Sequence, residues 1–343
     1  VTDRRPCVVY GTRPEAVKLS LLVKRFNVDT FFTGQQADIG IDNQLFVPSN
    51  SVKMCPGALS ARLSDALLSI DEHVSCTSPL IVIAQGDTLT AFAASLSAYH
   101  RQIPFAHIEA GLRTHDLSAP FPEEGYRSLI ARTASWNFCP TEHALDMIKS
   151  ESPPGRSLVV GNTIVDVVAS TMIENDIRQV MGDEVVITLH RRENLVEMKR
   201  LLGQITAVAS HHSSLRWTVF MHPNPCVKSV VENSLRGTCI NLEGPLPYID
   251  FLRRLAAARL IVTDSGGLQE EAASLGKRVV VCRKSTERPE GVAAGLSRIA
   301  FDESIGDEID YSLGLGEWCG TNPFGDGQAT ARIARELSLK ERV

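Results

Sequence analysis

No apolar run in this sequence approaches the ~20 residues that a spanning helix needs, so no membrane segment is expected. Basic charge is not in excess either: 35 Lys and Arg stand against 40 Asp and Glu, a net charge of −5. That balance argues against nucleic acid or an anionic membrane as a partner and leaves room only for a local basic pocket. There is no CxxC pair. The eight cysteines (Cys7, Cys55, Cys76, Cys139, Cys226, Cys239, Cys282 and Cys319) are dispersed without metal-ligand spacing, and several lie in apolar runs such as VVVC. They are expected to be small buried hydrophobes, not disulfides. A Walker glycine loop and a strand-linked GxGxxG are both missing, which counts against an NTPase or a nicotinamide enzyme. The opening VTDRRPCVVYG runs straight into a strand pattern without a leader, and a cytoplasmic protein is expected.

What is present is an ordinary globular composition, 43% apolar and 22% charged, over 343 residues, a length that favours two domains. Short apolar runs alternate with helical patterns: PCVVYG then PEAVKLSLLVKRF, PLIVIAQGD then TAFAASLSAYHR, followed by IPFAHIEAG, ASWNFCP and SLVVGN. Continuous apolar strands separated by helices indicate parallel sheets covered on both faces. Beyond about residue 180 the pattern restarts with EVVITLH, RWTVFMH, CINLE, RLIVTDSG and KRVVVCR. The fold class is therefore α/β, with two doubly wound domains facing a central cleft. The expected division is 1–172, completed by a C-terminal helix at about 325–343, and 173–324.

DSGGLQEEAASLGK (264–277) follows one of these strands. Its two glycines permit close backbone approach, and the free amides of the next helix suit a phosphate or diphosphate, with Ser265 adding a hydroxyl. The plainer reading is that Asp264 or Ser265 caps the helix. Glu271 lies too deep to cap and suits a vicinal diol; Glu270 reads as a solvated neighbour. GTRPEAVKL (11–19) repeats the strand-to-helix arrangement, with Arg13 and Lys18 bringing positive charge. AQGDTLT and HIEAGLRT place Asp87 and Glu109 just past two strands, and PFPEEGYR adds Glu123 and Glu124. Three segments thus deliver carboxylates to one sheet edge. TLHRREN and MHPNP bring His190, Arg191, Arg192 and His222 to the ends of two second-domain strands, and STERPEG offers Arg288. The two histidines lack a third ligand of metal spacing and fit a proton donor or phosphate partner better.

Taken in this order, GTRPEAVKL, QGDTLTAFAASLSAY, HIEAGLRT, PEEGYR, PTEHA, VVGNTIVDVV, HRREN, HPNP, TDSGGLQEEAASLGK and TERPEGV resemble the non-hydrolysing UDP-N-acetylglucosamine 2-epimerases, from about residue 5 to the closing NPFGDGQATARI. Hydrolysing relatives tend to carry Ala-Asp-Tyr where Pro14, Glu15 and Ala16 stand here. The resemblance implies two Rossmann-like domains in a glycosyltransferase-B-like arrangement and a homodimer. It implies that Ser265, Gly266 and Gly267 hold a diphosphate, Glu271 the ribose, and that uracil lies near Phe251. Arg13 and Arg288 face the phosphates, with Lys18 and Arg113 also on the substrate. Asp87, Glu109, Glu123 and His190 match the catalytic groups. The implied reaction is reversible conversion of UDP-GlcNAc to UDP-ManNAc through 2-acetamidoglucal, with no cofactor and no metal. An acetamido neighbour barely acidifies C2–H, so early departure of UDP makes that proton labile; because it leaves one face and returns on the other, more than one carboxyl is wanted. The chain departs from the family at GQQAD (34–38), where Gln36 and Ala37 replace histidine and arginine, so weakened activation by a second UDP-GlcNAc is expected. Tyr126 also replaces the family's polar residue. The rival readings are a retaining glycosyltransferase, which needs an acceptor site, and a non-catalytic nucleotide-sugar sensor, which needs none of the carboxylates.

Overall fold

The computed structural model describes residues 4–36, 45–189, 197–221, 225–301 and 304–342. Its contacts divide the chain into two compact units, Val1–Val167 with Gly325–Val343, and Val168–Phe324.

The first unit holds β1 (Cys7–Tyr10), α1 (Arg13–Arg25), β2 (Asp29–Phe32), β3 (Asn50–Ser51), α2 (Leu59–Thr77), β4 (Val82–Gln85) and α3 (Leu89–His100). It continues with β5 (Phe105–Ile108), α4 (Glu123–Thr133), β6 (Trp136–Cys139), α5 (Glu142–Ser150), β7 (Arg156–Val159) and the start of α6 (Thr163–Glu174). The chain's last helix, α13 (Ala329–Glu336), also belongs here. Among the described residues seven parallel strands pair in the order β3-β2-β1-β4-β5-β6-β7. β1, β4 and β5 are buried at every position, because helices cover both faces and leave no side for polar alternation. α3 packs closely on β4 and between α2 and α4 because its inner face is alanine, with Ala91, Ala93, Ala94 and Ala98 fully buried. Asp166 of α6 accepts from the Ala329 and Thr330 amides at 3.2 and 2.8 Å, satisfying orphan donors at the start of α13.

The second unit holds β8 (Glu184–Thr188), α7 (Met198–His211), β9 (Arg216–Phe220), α8 (Pro225–Leu235), β10 (Asn241–Glu243) and α9 (Tyr248–Ala256). β11 (Ala258–Thr263), α10 (Gly266–Ser274), β12 (Val279–Val281), α11 (Pro289–Ala293), β13 (Ser297–Ile299) and α12 (Ile305–Gly314) follow. Its described strands, all parallel, run β10-β9-β8-β11-β12-β13. Both units are Rossmann-like. Each sheet reverses its strand order once, at β1/β4 and at β8/β11, and ligands in such sheets bind outside the carboxyl ends at that switch point.

Three strands exceed the expectation. β3 is two exposed residues, β13 is a three-residue edge strand containing Arg298, and β2 opens on Asp29, so none carries a long apolar run. Among the described residues there is no disulfide; Cys7, Cys139 and Cys282 are buried as expected, whereas the other five cysteines are exposed. No described helix is long and apolar enough to cross a membrane.

Candidate active site

At the β8/β11 switch point the two strand ends are tied together: the Thr188 and Thr263 hydroxyls lie 2.6 Å apart, and the Asp264 amide donates to the Thr188 carbonyl. The Ser265 amide is taken by the Thr263 hydroxyl at 2.9 Å, which turns the chain into α10. Ser265 stands at the N-cap of α10 but makes no side-chain capping hydrogen bond, so it is not the capping residue that the plainer reading offers. Arg288 lies over this mouth. A Cβ built on Gly266 would fall 2.4 Å from Nη1, 2.6 Å from Cζ and 3.0 Å from Nη2, so the guanidinium packs face-on against the glycine and would have to shift for any larger residue.

Glu270 is not the solvated neighbour that adjacency suggested. It is 1% exposed, and its Oε1 accepts from Arg288 Nε at 2.6 Å. Glu287 pairs with Arg283 and lies 3.7 Å from Arg288 Nη1. Glu271, buried at 9% exposure, points to the next face of the helix, about 100° round from Glu270. Phe251 on α9 is half-buried and packs edge-on against Phe220 with ring centroids 5.2 Å apart. Arg254, whose guanidinium stands 5.0 Å from the Phe220 ring, is clamped by Glu184 and Glu243, which holds α9 in place.

In the first unit the candidate groups stand at the carboxyl ends of β1, β4 and β5, three adjacent strands that include its switch point. Lys18 Nζ and Gln85 Nε2 both donate to Glu109 Oε2, each at 2.6 Å. Glu109 sits at φ +64°, a left-handed conformation that costs a non-glycine residue of order 1–3 kcal/mol and persists where neighbours over-determine it. Asp87 accepts from Arg127 Nε at 2.8 Å and Nη2 at 2.6 Å, and Arg127 Nη1 also reaches Glu124 at 3.0 Å. Glu124 in turn accepts from the Thr114 and His115 amides, so it holds the loop after β5. Glu123 is half-buried at the start of α4 and acts electrostatically on Tyr126.

Two buried groups went unnoticed in the sequence. Glu15 accepts from the Gly11 amide, the Thr12 amide and hydroxyl, and the Thr88 hydroxyl, at 2.7–3.1 Å, tying the start of α1 to the start of α3 beside Asp87. Burial pushes its carboxyl up to about 7 against the pull of those four donors. The TxxE spacing at Thr12–Glu15 is the signal that marks it. His107 is fully buried on β5, and its Nε2 donates to the Gly86 carbonyl at 2.7 Å, fixing a turn at φ +72° ahead of Asp87. Burial holds its imidazole down to about 4, although Gly86, Asp87 and Glu109 all favour the proton.

The mouth of α1 differs from that of α10. Its Gly11 and Thr12 amides are taken by Glu15 and its Arg13 amide by Gln36 Oε1 at 3.0 Å, so any anion there rests on side chains. The Arg113 side chain is 1% exposed and donates to both oxygens of Glu151, at 2.6 and 2.9 Å, and to the Leu112 carbonyl. His190, Arg191, Arg192 and His222, with Ala37 and Asp38 of GQQAD, lie outside the described residues.

The sequence is 36% identical to the UDP-N-acetylglucosamine 2-epimerase of Bacillus subtilis, covering 96% of this chain and 93% of that one. The fold matches the crystal structure of the Neisseria meningitidis UDP-GlcNAc 2-epimerase bound to UDP-GlcNAc, with a TM-score of 0.89 and 30% identity over 97% of this chain and 99% of that one. It also matches the Methanocaldococcus jannaschii UDP-GlcNAc 2-epimerase in complex with UDP-GlcNAc and UDP, at a TM-score of 0.88 and 30% identity over the same shares. Two Rossmann-like sheets of the glycosyltransferase-B type and a match to the family's sequence model over residues 24–338 lead to one conclusion: the chain belongs to the UDP-N-acetylglucosamine 2-epimerase family.

Proposed function

We propose that this chain interconverts UDP-GlcNAc and UDP-ManNAc at C2 of the sugar, by eliminating UDP to a bound 2-acetamidoglucal and adding it back. The observation that carries this reading is the α10 mouth. Uncapped amides, Gly266 without a side chain and Arg288 packed on it form a seat for a diphosphate. Ser265 and Gly267 complete that seat, Glu271 takes the ribose diol, and Phe251 borders the uracil. Negative charge developing on departing UDP is stabilised there by donors already in place, which lowers the barrier to C1–O cleavage. The oxocarbenium character that results makes the C2 proton labile.

Asp87, Glu109 and Glu123 are the groups for that proton. Arg127 holds Asp87 in place, and Lys18 with Gln85 holds Glu109. Two faces of C2 must be served, and separate carboxyls on separate strand ends suit that need. Arg13 and His190 are assigned to the phosphate side, and UDP serves as leaving group and returning nucleophile. The chemistry calls for neither nicotinamide nor metal.

Incubation with UDP-GlcNAc is expected to give a mixture with UDP-ManNAc that is also reached from pure UDP-ManNAc. Asp87→Asn should depress turnover by ~10²-fold or more while UDP still binds. Glu271→Ala should instead weaken UDP by about 1–3 kcal/mol. Free ManNAc and UDP as the main products would mean hydrolysis and end the proposal.

A further inference from the structure

A cation held over the N-terminus of a helix opposes the helix dipole, and a buried one also loses its hydration. Arg288 does both, at 7% exposure against the first residue of α10. Something must hold it there before a ligand arrives. Gly266 and Glu270 are four residues apart, so they lie on one face of α10, and the guanidinium spans that face. Its plane packs on Gly266 while Nε is fixed to Glu270 at 2.6 Å. The preceding residue of α10 also holds the backbone of Arg288. Gln269 Oε1 accepts from the Thr286 hydroxyl at 3.1 Å, and that hydroxyl accepts from the Arg288 amide at 3.2 Å. Glu287, 5% exposed, lies 3.7 Å from Nη1 and is paired with Arg283. Two arginines and two glutamates therefore share one buried cluster.

We propose that Glu270 is a positioning residue for the diphosphate: by tying Nε at the rear, it keeps the Nη edge of Arg288 over the α10 mouth, ready for phosphate oxygens. The pair of glutamates in LQEE then divides the nucleotide between them. Glu270 serves the diphosphate through Arg288, and Glu271 serves the ribose directly. The inference rests on the reading of the α10 mouth as the diphosphate seat.

The test compares the affinities of UDP and uridine, two ligands that differ only in the phosphates, in Glu270→Gln and Arg288→Gln by calorimetric titration. Glu270→Gln keeps the size and loses the charge that orients Nε. It is expected to weaken UDP by about tenfold or more while uridine stays within about twofold. Equal losses for both ligands would mean that Glu270 only supports α10 and would overturn the inference, as would unchanged binding of both. If Arg288→Gln leaves the UDP-to-uridine ratio untouched, the diphosphate seat itself is misassigned. If Arg288→Gln lowers the ratio and Glu270→Gln does not, only the role of Glu270 falls. Should Glu270→Gln fail to fold, Glu270→Asp keeps the charge and withdraws the carboxylate from Arg288 Nε. The expectation is the same in direction, and an unchanged ratio there contradicts the proposal.

Discussion

His107 and Glu15 do no chemistry in this account, yet each fixes backbone beside Asp87, one through the Gly86 carbonyl and the other through the Thr88 hydroxyl. Their titrations oppose each other. His107 is held at about 4 when folded against an ordinary 6.5, so below pH 6.5 the unfolded chain binds a proton that the native state refuses. Its contribution to stability is complete above 6.5 and is lost as pH falls towards 4. Glu15 is raised to about 7 from 4.5, so its burial costs more as pH rises between those values. His107→Gln keeps a donor for Gly86 and removes only the first titration. The stability of the parent minus that of this variant, from urea unfolding, should fall by ~2–3 kcal/mol between pH 7 and 4.5. A pH-independent difference would mean that His107 is not held neutral.

The element that decides most is α10, and Gly266→Ala isolates its role. Alanine is the better helix former by roughly 0.5–1 kcal/mol, so the helix itself should not weaken. The new Cβ would nevertheless fall 2.4 Å from Arg288 Nη1, and the guanidinium must shift from its place against the glycine. UDP affinity is expected to drop by about 1–2 kcal/mol, and the melting temperature to fall as the buried Arg288–Glu270 pair is disturbed; undiminished affinity would place the diphosphate elsewhere. The strand-Ser-Gly-Gly-helix pattern made this element readable in the sequence, because a glycine pair after an apolar strand needs no distant partner to declare itself. What it could not convey was the job of Glu270, whose partner lies 18 residues along the chain. The Lys18–Glu109 pair, 91 residues apart, was legible only as two separate strand ends. Long apolar strands such as LIVT announced themselves, whereas β2, β3 and β13 owe their place to neighbours in the sheet and not to their own residues. The pairing of Arg113 with Glu151, 38 residues along the chain, is equally invisible in its motif.

Across the whole molecule, two parallel sheets each reverse their strand order once, and the acidic and anion-binding groups gather at the carboxyl ends of the strands there. One switch point offers carboxylates with paired cations; the other offers an uncapped helix start with an arginine laid over it. The proposed elimination and re-addition requires two such parts, acid–base groups and a seat that stabilises the leaving group. The proposed route requires that the C2–H bond break and that the proton exchange with solvent before UDP returns. The most direct measurement is incubation with UDP-GlcNAc in D₂O, followed by proton NMR of both nucleotide sugars. Deuterium is predicted at C2 of the UDP-ManNAc formed and, as equilibrium is approached, of the recovered UDP-GlcNAc. Epimerised product that retains its original hydrogen at C2 would contradict the account.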